Sequence, residues 1–119
     1  MKENILKDKA YKFALRIVKL YQYLVGEKKE FVMSKQVLRS GTSIGANIEE
    51  ANQAQSKTDF IHKLSISQKE SFETHYWIRL LRDSEFLTEK LAESLLKDCE
   101  EIQKLITSSI KTAKANLQK

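Results

Sequence analysis

No proline interrupts this chain of 119 residues, and only three glycines do. Those two residue types end helices and shape tight turns, so a chain so poor in them lacks the turn chemistry that many short strands require. It offers instead long runs in which apolar side chains recur every three or four residues, the period of a helix that buries one face. From Lys2 to Val25 the stripe is Leu6, Ala10, Phe13, Ile17, Leu20 and Leu24. Gly26 follows at the place where helices commonly end on a left-handed glycine, and Glu27-Lys28-Lys29-Glu30 forms a polar connector.

A second run starts near Ser34, a good N-cap residue, and carries Val37, Gly41, Ile44, Ile48 and Ala51. The third follows Ser56 or Thr58 and uses Phe60, Leu64, Ser67, Ser71, Tyr76 or Trp77, and Leu80 with Leu81. Asp83-Ser84-Glu85 and Thr88 mark the next joint. The fourth run extends from about Glu89 to Asn116, with Leu91, Leu95, Cys99, Ile102, Ile106, Ile110, Ala113 and Leu117. Long helices joined by short loops pack as antiparallel neighbours. The expected fold is therefore all-α, an antiparallel up-and-down four-helix bundle, with residues 1–119 as one domain.

The charge is unevenly placed. Up to Lys29 there are eight Lys or Arg against three Asp or Glu, a balance of +5 that equals the net charge of the whole chain. Lys9, Lys12, Arg16 and Lys19 are three, four and three residues apart and line one side of the first helix, with Tyr23 continuing the row. Such a row is either a solvated flank whose stems cover the edge of the core or a ridge that binds nucleic-acid phosphates. In the fourth helix Lys90, Lys97, Lys104 and Lys111 recur every seven residues. Glu93 precedes Lys97 by four and Glu100 precedes Lys104 by four, which predicts intrahelical ion pairs and a solvated face.

Chemistry of the catalytic kind finds little support. Helical bundles that hold two metals use Glu and Glu-x-x-His ligands; here only Asp59 and His62 have that spacing, and Phe72 stands three residues before His75. There is no His-Glu-x-x-His run and no glycine-rich phosphate loop. The single cysteine, Cys99, falls on an apolar stripe and reads as a small buried hydrophobe. Tyr76 and Trp77 read as core or interface anchors. Arg39 and Glu50 share one side of the second helix and stand either in water or in salt bridges across a subunit contact. The expectation is no enzyme, no cofactor and no metal. The amino terminus lacks the apolar stretch of a signal peptide and no run suits a membrane span, so the expected location is the cytoplasm.

The most distinctive stretch is Arg39-Ser40-Gly41-Thr42-Ser43-Ile44-Gly45-Ala46-Asn47-Ile48-Glu49-Glu50-Ala51. Each glycine costs about 1 kcal/mol of helix propensity relative to alanine, a cost explained if Gly41 and Gly45 let another helix approach closely. Asn47 lies beside the stripe, where a polar residue can fix register or oligomeric state. These three are the candidate packing or oligomer contacts. The run SIGANIEEA, with FIHKLSISQKESFETHYWIRLL after it, closely resembles the bacterial four-helix-bundle family of 23S rRNA intervening-sequence proteins, which includes the accessory variability proteins of diversity-generating retroelements. The resemblance covers nearly the whole chain. It rests on Ser-Ile-x-x-Asn-Ile-x-Glu at residues 43–50 and extends to Ser71 and Glu73; Ala51 and Glu70 stand where the common pattern has glycine. It implies a homopentamer with a basic surface and a role in binding RNA, DNA or a protein partner such as a reverse transcriptase.

Overall fold

In the computed structural model, which describes residues 2–118, the chain forms α1 (Lys2–Gly26), α2 (Met33–Asn52), α3 (Lys57–Asp83) and α4 (Glu89–Leu117). Each helix packs on its neighbours in sequence, α1 closes the ring on α4, and neither diagonal pair meets. The result is the antiparallel up-and-down bundle, 52 × 21 × 20 Å. The outer bounds at Met1 and Lys119 lie outside the described residues.

The helix starts have identifiable causes, because the first turn of any helix leaves backbone N–H groups without partners. Ser56 caps α3 by accepting from the Asp59 N–H at 3.1 Å, and Thr88 caps α4 by accepting from Leu91 at 3.2 Å. In α2 the structure corrects the expectation. Ser34 sits buried inside the first turn, and the donors are taken instead by Glu30, only 8% exposed in the connector. Its carboxylate accepts from the N–H groups of Val32 (3.1 Å), Met33 (3.0 Å) and Ser34 (2.6 Å). Burial alone would raise the Glu30 pKa, but these donors outweigh it and hold the group below its ordinary value.

Gly26 likewise does not turn the chain. It stays in α1, and Lys29 takes the left-handed conformation with φ of 55°. The Glu30 N–H then reaches back to the Leu24 carbonyl at 2.9 Å, so Glu30 closes one helix with its backbone and opens the next with its side chain.

All six residues of the α1 stripe and all five of the α2 stripe are buried. In α4 Leu95, Cys99, Ile102, Ile106 and Ala113 are buried, Leu91 and Ile110 sit at the edge, and Leu117 is exposed. The α3 stripe differs from its sequence reading. After Ser71 it continues through Thr74, Ile78 and Leu81, while Tyr76 and Leu80 are exposed and Trp77 is half-buried. Steps of three and four from Ser71 lead to Thr74 and Ile78; the large aromatics lie to one side of that line.

The most extensive seam is between α2 and α3, and the slightest is between α1 and α4. Small side chains explain the first. Ser40, Ser67 and Thr74 are buried there, with Ser67 Oγ donating to the Ile44 carbonyl at 2.8 Å and Thr74 Oγ1 2.9 Å from Ser40 Oγ. Outside this strip Arg39 reaches Glu70 at 3.0 Å and also Glu73, and Lys63 reaches Glu50 at 3.1 Å. Arg39 and Glu50 are thus clamped to α3 of their own chain. Glu70 is one end of that clamp.

Candidate nucleic-acid interface

Two of the three candidate contacts on α2 lie in its seam with α1. A Cβ on Gly41 would lie 2.8 Å from both Cγ1 and Cγ2 of Ile17, which is fully buried, so α1 has closed onto the bare backbone at that point. A Cβ on Gly45 would meet the Ala10 carbonyl oxygen at an ordinary 3.5 Å. The two glycines therefore serve close packing of α1 on α2 within one chain. Asn47 is half-buried and donates from Nδ2 to the Ser43 carbonyl one turn back at 2.8 Å, a bond internal to its helix.

The basic row of α1 is divided as well. Arg16 Nη1 meets Asp98 Oδ2 of α4 at 2.7 Å, and Lys9 Nζ meets Glu101 Oε2 at 3.3 Å. Both pairs cross the thinnest seam of the bundle, where long side chains span a gap that apolar contact does not fill. Lys12 and Lys19 are exposed and make no ion pair among the described residues. Half of the row is thus structural, and half is free.

The other ends of these bridges change α4. Its acids Asp98 and Glu101 are committed to α1, and Glu100 Oε2 lies 2.8 Å from Nε2 of His75 on α3. Arg79 Nε donates to Nδ1 of the same imidazole at 3.1 Å. The expected Glu100–Lys104 pair is therefore not formed, and neither is Glu93–Lys97, although Glu93 remains on that face. Among the described residues Lys90, Lys97, Lys104 and Lys111 are exposed and have no carboxylate within ion-pair distance. At 1.5 Å per residue they stand about 10 Å apart along the outside of α4. Sequence reading missed this ridge because an i, i+4 count cannot see acids drawn away to neighbouring helices.

The single cysteine is enclosed in the core. Cys99 is buried, its Sγ contacts the Ser71 carbonyl at 3.3 Å, and burial, with help from Glu100 and Asp98, pushes the thiol pKa up to about 12. A thiol so protonated is no nucleophile. Among the described residues no group of three or more His, Cys, Asp or Glu side chains is placed to hold a metal, and no helix is long and apolar enough to cross a membrane.

Fold and surfaces together define a helical bundle whose distinctive chemistry is on its outside. The chain belongs to the 23S rRNA-intervening sequence protein family, whose model matches residues 2–108. It is similar to a protein of unknown function from the S23 ribosomal protein family of Bacteroides thetaiotaomicron, known from its crystal structure. The two are 60% identical, the match covers 93% of this chain and 99% of that one, and the TM-score is 0.92. No curated protein matches.

Proposed function

We propose that this chain is a non-enzymatic, self-assembling helical bundle that binds RNA or DNA through the phosphate backbone. The observation that carries the reading is the ridge of four lysines on α4, none within ion-pair distance of a carboxylate among the described residues; Glu100 and Glu101, the acids nearest Lys97 and Lys104, are turned to His75 and Lys9. Lys12 and Lys19 extend it on the adjacent helix, while Lys9 and Arg16 hold α1 to α4 beneath. Each phosphate neutralised by such a row releases counterions, so binding falls steeply with salt. A salt titration with a generic single-stranded RNA tests this. Tight binding at low salt that weakens steeply supports it; no binding at low salt overturns it.

Assembly has its own support. Tyr11, Leu15 and Val18 form an exposed apolar strip on α1, and Tyr76 and Leu80 form another on α3. These helices are diagonal in the bundle, so the strips lie on opposite sides. Two unlike patches on different sides suit head-to-tail association, which gives a ring where its rotation closes; a ring of five is what the family resemblance implies. A pentamer multiplies the charge of +5 and the ridge alike, which strengthens attraction for a polyanion. Light scattering checks this: Leu15→Glu and Tyr76→Glu each abolish the ring, and mixing the two variants restores dimers through the one intact pair of faces. Either variant keeping the full ring contradicts it. The same apolar strips favour, as a second reading, a protein partner such as a reverse transcriptase; a capture that survives nuclease treatment and is lost with Tyr76→Glu distinguishes it.

A further inference from the structure

Beside the lysine ridge, between α3 and α4, runs a groove of about 580 Å³ with mostly apolar walls. Four features meet in it. Phe72 stands at its rim with 57% of its surface exposed, one turn before Tyr76 on the exposed apolar strip of α3. Gln68 lines it, donating from Nε2 to Thr107 Oγ1 at 2.6 Å, while its buried Oε1 has no partner. Turning the amide over only exchanges which atom is left unpaired, since one hydroxyl cannot satisfy both ends. Gln103 contributes a second amide, engaged only by a long 3.8 Å contact to Cys99 Sγ. Lys104 and Lys111 border the groove, about 10 Å apart along α4, together with Glu100, whose carboxylate is turned to His75 Nε2 at 2.8 Å.

A flat apolar ring, a buried amide atom short of a hydrogen bond and two flanking cations suit a ligand that is planar, polar at its edge and anionic at both ends. That is the chemistry of a nucleotide within a strand. We propose that the α3–α4 groove is a base-binding subsite for single-stranded nucleic acid. One base stacks on Phe72 with its edge toward Gln68 and Gln103, and the phosphates on either side meet Lys104 and Lys111. The inference rests on the nucleic-acid reading above and adds to it that the protein distinguishes an unpaired strand from bare backbone charge.

The test compares a single strand of about 12 nucleotides, within the usual span of such sites, with an abasic strand of equal length and charge. Stacking of one base predicts a preference for the base-bearing strand of about 5- to 100-fold at fixed salt. Phe72→Ala removes that preference and leaves abasic binding as it was, and Phe72→Tyr keeps it; since Phe72 is exposed, neither variant disturbs the core. Gln68→Ala reduces the preference in part. Equal affinity for both strands, or a preference untouched by Phe72→Ala, overturns the subsite while leaving the phosphate ridge standing. An effect of Phe72→Ala on ring assembly without one on base preference also overturns it. Failure of either strand to bind at low salt instead removes the underlying reading.

Discussion

Two rows of cations, similar on paper, meet different fates in this molecule. The row on α1 lies in the segment up to Lys29 that carries the charge excess of the chain, yet Lys9 and Arg16 are spent on bridges to α4. The row on α4 is balanced in composition, yet it emerges as a ridge of lysines without ion-pair partners. The difference teaches that local charge counts fail wherever helices exchange counterions. A bundle redistributes charge across its seams, and here the bridges across α1–α4 take up half of the α1 row.

The comparison depends first on α1 being held where its cations can reach α4, which the α1–α2 seam decides. Gly41→Ala drives a Cβ into Ile17. Overpacking of that kind costs about 1–3 kcal/mol, of which the better helix propensity of alanine returns about 1. Gly45→Ala has room beside Ala10 and stabilises by up to about 1 kcal/mol. Chemical denaturation should therefore move the two variants in opposite directions; equal effects contradict the assigned packing.

A comparable effect is expected at the other end of α1, where Glu30 fixes the passage into α2. Glu30→Gln weakens three hydrogen bonds to a charged acceptor and should cost about 1–2 kcal/mol at neutral pH. The folded pKa of Glu30 lies below its ordinary 4.5, so its contribution is present above the unfolded value and is lost as pH falls through the folded one. The gap in stability between wild type and variant should be flat near neutrality and close on acidification below 4.5. A gap that widens in acid would show that the carboxylate is not the cap.

The smallest effect on stability sharpens the comparison most. Asp98→Asn with Glu101→Gln removes two partly exposed ion pairs, each worth about 0–1 kcal/mol, and frees Arg16 and Lys9. Binding to RNA should strengthen, and its dependence on the logarithm of salt concentration should steepen by about 1.4 for two contacts to a single strand. Unchanged binding would mean that the α1 side does not face the nucleic acid.

How much of this was legible beforehand follows a physical division. Periodicity placed every helix within a residue or two and picked out Ile17, Ile44, Ile102 and their neighbours as core, because burial of one face leaves its mark on spacing alone. It failed at Tyr76 and Leu80, where large apolar residues lie off the buried line, and at Ser34, whose capping role belongs to a carboxylate outside the helix. The small-residue run of α2 was visible as a packing face, but not its partner: only the folded chain shows Ile17 over Gly41 and Glu70 and Glu73 on Arg39. The basic row was legible by position. Which of its members remain free was not, since Asp98 and Glu101 lie more than eighty residues away in sequence.

The central claim is that α4, with Lys12 and Lys19, presents the free charge and that Lys9 and Arg16 are structural. The direct measurement is the salt dependence of RNA affinity, taken with thermal melting, for two variants. Lys97→Glu with Lys104→Glu and Lys111→Glu should reduce the slope by about 2, roughly 0.7 for each contact to a single strand, and leave the melting temperature nearly unchanged. Lys9→Gln with Arg16→Gln should lower the melting temperature and leave the slope close to that of wild type. A slope that survives loss of the α4 lysines and collapses with the α1 pair would contradict the account.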